Sequence, residues 1–456
     1  MEFLVSHAAS IVGAIASFVM LVALGGSRRN SQSTLAWLLA LVFVPYVALP
    51  LFLLLGQRKL PRRGKHPDEA SRARAAREWT DADARSVASV LRESGVAPPR
   101  SGSSFELLPT GEAAYARLLD LVARAERTVD LSMFILATDG TGRAVVEALA
   151  ARARAGVDVR VILDAVGSSG ALHWGAARLR EAGAEVRAFM PLLHSPIRGR
   201  TNLRSHRKLA VFDGRHVFAG GMNLADEYMG PTPSPGRWRD VSAVTSGPVA
   251  ADAVSLFESD WAYCGGRARE GATEPAAAGD ERVQLVPSGP DFATDTCYDL
   301  FLAAIFGARE RVAIVTPYYV PDDALQHAVV LAARRGVRTE LIVPTVSNHV
   351  TADVARRSLL RELSGAGARV LFYPHGMVHA KAMVVDDTFA YVGSPNFDMR
   401  SLFLNYESAL CVYSPGAIAS IRAFVDGLAA ESVLEGPRVR EHRLREQLAR
   451  FLAPEL

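Results

Sequence analysis

The strongest constraint on this chain is a repeat whose two copies end in the same eight-residue phrase. Residues 206–213 read His-Arg-Lys-Leu-Ala-Val-Phe-Asp, and residues 379–386 read His-Ala-Lys-Ala-Met-Val-Val-Asp. Gly220, Gly221 and Asn223 follow the first phrase, and Gly393, Ser394 and Asn396 follow the second at the same distances. The upstream segments match as well. Glu126 to Ile135 parallels Glu310 to Tyr319, Gly156 to Leu163 parallels Gly336 to Val343, and Gly183 to Phe189 parallels Gly367 to Tyr373. Helices leading into short β-rich runs, twice in one chain, predict an α/β architecture with mixed sheets.

Each phrase predicts a β-hairpin: an apolar run into Asp213-Gly or Asp386-Asp, then a second run, Val217 to Ala219 or Phe389 to Val392. Side chains alternate along a strand, so the His and Lys two residues apart share a face, while Leu209, Val211, Met383 and Val385 supply packing. Asp213 and Asp386 fall at the turns, where a carboxylate ordinarily bonds the local backbone. Lysine is otherwise scarce: among 51 basic residues it occurs only at positions 59, 65, 208 and 381. A lysine in each hairpin therefore points to a job that arginine does not do.

The basic residues are matched by 48 acidic ones, and a net charge of +3 is too even to argue for a nucleic-acid partner. Cys264, Cys297 and Cys411 are far apart and in no metal-ligand spacing, which suggests neither a disulfide framework nor a zinc site. The N-terminal region is different in kind. Residues 8–26 and 34–56 are uncharged and strongly apolar, each long enough at helical rise to cross a ~30 Å hydrocarbon layer. They predict a transmembrane helical hairpin over residues 1–65. Arg58, Lys59, Arg62, Arg63 and Lys65 follow the second span and only Arg28 and Arg29 lie in the link, so the large C-terminal part is expected in the cytoplasm. A charged, Pro/Ser/Gly-rich stretch over 66–104 reads as a connector, and a Gly/Ala-rich stretch over 265–280 as a linker. They bracket two halves, 105–264 and 281–456.

His206, Lys208, Asp213 and Asn223, with His379, Lys381, Asp386 and Asn396, resemble the paired signature motif of the phospholipase D superfamily. The resemblance implies two α/β/α repeats closing face to face into one pseudo-symmetric catalytic unit that holds both histidines, both lysines and both asparagines. Two ammonium groups and two amides would grip a phosphodiester's non-bridging oxygens and stabilise the charge that builds up at five-coordinate phosphorus. Neither metal nor cofactor is required. One imidazole attacks phosphorus and the other protonates the leaving alkoxide, then takes a proton from the acceptor. By the same resemblance His206 is the nucleophile and His379 the acid and base. An acid some thirty residues beyond each motif histidine, Asp240 and Glu407, is expected to orient an imidazole.

Within the superfamily, the apolar hairpin, Val286-Pro-Ser-Gly-Pro-Asp291, Thr316-Pro-Tyr-Tyr-Val-Pro-Asp322 and Asn396-Phe-Asp-Met-Arg-Ser401 look like the bacterial cardiolipin synthases. Gly221, where the second copy has Ser394, looks like a normal feature of that family's first motif. The resemblance implies transfer between two phosphatidylglycerols, giving cardiolipin and glycerol at the inner membrane. A phospholipase D, or a transferase using another donor such as phosphatidylethanolamine, is the alternative. Arg198, Arg200, Arg204 and Arg207 cluster around the first motif, and Arg204 among them is expected to receive an anionic headgroup. A homo-oligomer is compatible with all of this.

Overall fold

A computed structural model describes residues 87–191, 202–269 and 274–434, with isolated positions at 37, 39–40, 43–44, 46–48, 52, 436, 445–447 and 449. The two expected spans, 8–26 and 34–56, lie outside the described residues apart from those few positions. Among the described residues no helix is long and apolar enough to cross a membrane.

The first half comprises α1 (Val87–Glu93), β1 (Arg100–Leu108), α2 (Gly111–Arg124), β2 (Thr128–Met133), α3 (Gly140–Arg154), β3 (Asp158–Asp164), α4 (Ser169–His173), α5 (Gly175–Glu181), β4 (Glu185–Phe189), β5 (Lys208–Phe212), β6 (His216–Gly220), β7 (Ser242–Ser246) and α6 (Val249–Tyr263). The second comprises β8 (Glu281–Ser288), α7 (Thr296–Gly307), β9 (Arg311–Val315), β10 (Tyr319–Val320), α8 (Asp323–Arg334), β11 (Arg338–Pro344), α9 (Val350–Gly365), β12 (Arg369–Tyr373), β13 (Ala382–Val385), β14 (Phe389–Gly393), β15 (Phe397–Asp398), α10 (Met399–Phe403), β16 (Glu407–Val412) and α11 (Pro415–Ala430).

One 14-stranded sheet runs β12-β11-β9-β13-β14-β16-β8-β1-β7-β6-β5-β2-β3-β4. Read outward from its middle, the first half is β1, β7, β6, β5, β2, β3, β4 and the second is β8, β16, β14, β13, β9, β11, β12, so the two halves have one topology. The outer strands pair in parallel, β2 with β3 and β3 with β4, β9 with β11 and β11 with β12. The motif hairpins are antiparallel, β5 with β6 and β13 with β14. At the centre β1 runs antiparallel to β8, with Arg100 opposite Val283. The expected twice-built α/β fold with mixed strands is what the chain adopts.

Alternation along the strands sorts most of their apolar side chains into a core for each half and one between the halves. Leu209 and Val211 of β5 face a core shared by both halves, whereas Ala210 and Phe212 face the helices of the first half. In β13 it is Ala382 and Val384 that face the shared core, while Met383 and Val385 face the helices of the second. Val249 and Ala253 of α6 and Ile418, Ile421 and Val425 of α11 complete the shared core. Burying each of the larger side chains contributes about 1.5–3 kcal/mol, so the shared core is enough to hold the halves in one relative position.

The stretch 66–104, expected as a connector, is helix and strand in its last part. Leu91 of α1 and Val96 enter the core of the second half, and β1 begins at Arg100, before Phe105. Ser101, Gly102, Ser103 and Ser104 are weak strand formers; pairing with β7 and β8 on either side decides their conformation.

Asp213 and Asp386 hold the motif hairpins from below. Both have left-handed backbone, with φ of 51° and 49°, a conformation that aspartate tolerates better than most residues. The Asp213 carboxylate accepts from the backbone N–H groups of Glu126, Arg127 and Thr128 at 3.0, 2.7 and 2.9 Å. Asp386 accepts from those of Arg309, Glu310 and Arg311 at 3.0, 2.8 and 2.8 Å. Five strand residues, roughly 16 Å at about 3.3 Å each, separate Asp213 from Lys208. Both aspartates belong to the signature phrase, and their carboxylates tie each turn to the start of the neighbouring strand. Burial pushes the Asp213 carboxyl up, but the three N–H groups outweigh it and its pKa lies below the usual value. Its stabilising contribution is accordingly present above about pH 4 and is lost as pH falls further. Replacing Asp213 by Ala is expected to destabilise the chain by about 1–3 kcal/mol in thermal unfolding, with turnover of the folded protein nearly unchanged. Lost turnover at unchanged stability would show that the carboxylate acts on substrate instead.

Candidate active site

Strand β5 lies beside β2 with Lys208 opposite Met133, so the motif His and Lys of the first half sit at the C-terminal ends of its parallel strands. The second half repeats this, with Ala382 opposite Val315. Each histidine lies just before its strand and is held there by the other half. The His206 N–H donates to the Tyr406 carbonyl at 2.8 Å, and the Tyr406 N–H donates to the Arg204 carbonyl at 2.9 Å. Reciprocally, the His379 N–H donates to the Arg239 carbonyl at 2.7 Å, and the Arg239 N–H donates to that of Met377 at 2.8 Å.

The side chains cross over in the same way. His206 Nδ1 is 2.9 Å from Glu407 Oε2, and His379 Nδ1 is 2.6 Å from Asp240 Oδ2. Both acids anticipated from the family resemblance thus reach a motif imidazole, and each pairs with the histidine of the opposite half. An ionised carboxylate only accepts, so each Nδ1 carries the proton and each Nε2 holds the lone pair; that of His379 lies 2.8 Å from Lys381 Nζ.

Both lysines are fully buried. Lys208 Nζ donates to the His206 carbonyl at 2.8 Å and lies 5.2 Å from the centre of the Phe134 ring. Lys381 Nζ donates to the His379 carbonyl at 2.5 Å and sits within 2.8 Å of both nitrogens of that imidazole. Burial, and then the ammonium groups, hold the imidazoles in the neutral form: His206 is pushed down to about 4 and His379 to about 3. Lys208 and Lys381 both act on His206, and both also act on His379, which places the two motifs in one electrostatic environment. Burial lowers Lys381 to about 8, against the pull of Asp240 and Glu407. Burial works against ionisation of those two acids, yet their neighbouring imidazole and ammonium groups prevail and keep both carboxyls below the usual value.

The carboxylates are fixed by different means. Glu407 also accepts from Ser394 Oγ at 2.5 Å, whereas Asp240 accepts from the Val241 N–H at 2.7 Å. Gly221 occupies the place of Ser394 in the first motif, and a Cβ built there would lie 2.2 Å from Asp240 Oδ1. The difference between the motifs is thus a packing requirement. Where the shorter acid sits against the backbone, no side chain fits; where the longer one reaches past, a hydroxyl fills the gap and donates.

Asn223 and Asn396 are both buried. Asn223 Oδ1 accepts from the Ile135 N–H at 3.3 Å and its side chain also bonds Tyr228, while Asn396 bonds Asp398 and keeps Oδ1 without a partner among the described residues. Arg204 is not the exposed cation that a headgroup would need. It is buried, donating to the Met190 carbonyl at 3.0 Å and lying 3.5 Å from Asp164. Arg207 is likewise internal: it is paired with Asp260 and donates to the Glu407 carbonyl at 3.1 Å, bracing the segment that carries the acid. Positions 198 and 200 lie outside the described residues.

Aromatic residues that spacing did not single out line the imidazoles. Phe134 meets His206 edge-on at 4.9 Å, while Tyr228, Trp238 and Tyr318 surround His379 at 5.0, 5.5 and 6.5 Å. Phe134 and Tyr318 hold equivalent places in the matching segments upstream of the two motifs, which is the signal by which the repeat could have exposed them.

Comparison with known proteins agrees with this geometry. The signature described as "Cardiolipin synthase, PLD-like domain" matches residues 118–261 and 301–428, and that of the phospholipase D-nuclease N-terminal region matches 12–57. The chain is 30% identical to cardiolipin synthase A of Pseudomonas syringae pv. syringae, over 98% of this chain and 99% of that one. It is 32% identical to cardiolipin synthase A of Pseudomonas aeruginosa, over 93% and 91%. The crystal structure of phosphatidylserine synthase from Haemophilus influenzae Rd KW20 shares the fold with a TM-score of 0.58 at 15% identity, over 76% of this chain and 92% of that one.

Two imidazoles held neutral have a consequence for stability. In the unfolded chain each titrates near 6.5, so acidification protonates the unfolded state first, and the contribution present above about pH 6.5 is lost as pH falls. The thermal midpoint is expected to drop between pH 7 and pH 5, with up to about 1.4 kcal/mol per pH unit for each ring. Replacing His206 and His379 by Gln should flatten that dependence; an equally steep curve in the double variant would mean the rings are already charged in the folded state.

Proposed function

The chain belongs to the cardiolipin synthase family of phospholipase D-like proteins, and from that premise we propose that it transfers a phosphatidyl group from one phosphatidylglycerol to another, yielding cardiolipin and glycerol. The observation that supports the reading is the crossed pairing of each motif imidazole with a carboxylate from the other half, because it joins the two motifs into one site in which both lysines act on both imidazoles.

His206 Nε2 attacks phosphorus as the bond to the glycerol headgroup breaks, leaving a phosphatidyl group on the imidazole. His379 supplies the proton to the departing glycerol oxygen, then takes the proton of the terminal hydroxyl of the second lipid as that oxygen displaces His206. Burial, and then the two lysines, keep the His379 ring neutral in the free site; in this reading the negative charge of the phosphodiester favours the protonated ring and so lets His379 act as an acid. Lys208, Lys381, Asn223 and Asn396 are positioned to hold the non-bridging oxygens. One phosphodiester is exchanged for another, so the reaction needs no nucleotide. Water competes as acceptor, and a site opening on a bilayer surface disfavours it. A helical hairpin over residues 8–26 and 34–56, with the catalytic unit in the cytoplasm, would deliver both lipids to that site; the family signature over 12–57 covers most of both apolar stretches.

Vesicles of labelled phosphatidylglycerol test the reading. Thin-layer analysis should show cardiolipin, with glycerol released. His379→Ala should lower turnover about 10²–10⁴-fold, and His206→Ala should leave no labelled, acid-labile phosphohistidine when the reaction is stopped with neutral detergent. Predominant phosphatidic acid, or release of another headgroup from a mixed membrane in preference to glycerol, would reject it.

A further inference from the structure

The two halves share a topology, but the walls beside their histidines differ in chemistry. At the first-half wall, Phe134 packs on His206 and the following loop closes over it. A Cβ on Gly167 would lie 2.4 Å from the Phe134 carbonyl, and Ser168 is buried, its hydroxyl donating to the Phe134 carbonyl at 2.8 Å and accepting from the Leu136 N–H at 2.9 Å. That wall is apolar and its one hydroxyl is turned inward.

The equivalent positions of the second half are Tyr318, Ser347 and Asn348. Tyr318 is half-buried with its ring 6.5 Å from that of His379, and its hydroxyl donates to Asn348 Oδ1 at 2.5 Å. The His349 ring stands edge-on to Tyr318 at 5.1 Å. Asn348 and His349 are exposed. Among the described residues the Asn348 amide nitrogen and both ring nitrogens of His349 make no hydrogen bond, so together they offer donors and acceptors to something outside the chain. From across the site, Tyr228 and Trp238 of the first half flank the same imidazole. The corresponding sequence positions of the second half hold Ser401 and Asn405 instead of aromatic residues.

We propose that Tyr318, Asn348 and His349 form the site for the glycerol headgroup, first of the departing glycerol and then of the acceptor lipid, and that they select a polyol over other alcohols. The proposal rests on the functional reading above. That reading gives His379 the proton exchange with the glycerol oxygen, so the headgroup has to lie on the His379 side, where the polar wall is. The Tyr318 ring lies 6.5 Å from that of His379, and its hydroxyl, bonded to Asn348, marks the polar group on that side of the imidazole. The free hydroxyls of a polyol both donate and accept, and so do an amide, an imidazole and a phenol. Selectivity arises because a competing alcohol without those hydroxyls leaves the wall's polar groups unpaired when the lipid covers them. These three are positioning residues; they touch the headgroup and not the phosphorus.

The test is a partition experiment in vesicles of phosphatidylglycerol containing ethanol, reading cardiolipin against phosphatidylethanol. Both products come from one phosphatidyl-enzyme, so their ratio reports acceptor choice and does not depend on how much protein is folded. Tyr318→Phe and Asn348→Ala are each expected to lower the ratio about tenfold, with the sum of products falling less than the cardiolipin alone. Val346→Ala, a change at an exposed position on the same loop, should leave both unchanged. A ratio unmoved by Tyr318→Phe and Asn348→Ala overturns the proposal, whether or not total turnover falls. A wild-type chain that makes neither product overturns the proposal together with the functional reading.

Discussion

The site stands on two imidazole–carboxylate hydrogen bonds that each run from one half of the chain to the other. A bond of that kind fixes a tautomer and an orientation only if both ends are held to a fraction of an ångström. The backbone supplies the support by the same crossing. The Tyr406 segment, next to Glu407, bonds the segment of His206, and the Arg239 segment, next to Asp240, bonds that of His379. The shared core beneath and the junction of β1 with β8 keep these short bridges in register. Neither half is a smaller version of the whole: apart, each would hold a histidine without its carboxylate and a carboxylate without its histidine.

Charge balance follows from that arrangement. Two ammonium groups and two carboxylates lie out of water, and removing one member of a buried charged pair typically costs about 3–5 kcal/mol because its partner is left uncompensated. Two lysines, both of which burial pushes down from their ordinary value, face two carboxylates. An incoming phosphodiester monoanion then becomes the group that tips the balance towards a charged imidazole. Substrate binding and the arming of the acid are in this way a single electrostatic event.

Much of this was legible in the residues. The repeated phrase reported the topology of the motif hairpins and the chemistry of His206, Lys208, His379 and Lys381, because strand alternation and identical spacing are local properties. The family resemblance also located Asp240 and Glu407 but could not tell which histidine each would meet, since that depends on how the halves close. Arg204 and Arg207 misled for a related reason. A cluster of arginines in a sequence looks like a surface, and only the fold shows that Asp164 and Asp260 draw these two inside. The strand at 100–108 was missed because its serines and glycine have no strand preference of their own; neighbours on both sides impose it.

Gly221 with Asp240, and Ser394 with Glu407, are two answers to one packing problem. Had the unit been assembled from identical subunits, any substitution would appear at both places at once, and the pair would have to change in lockstep. Joining the copies in a single polypeptide removes that restriction. Each side can drift independently so long as its own glycine or serine still suits the acid beside it, and a duplicated scaffold thereby becomes free to treat its two ends unequally.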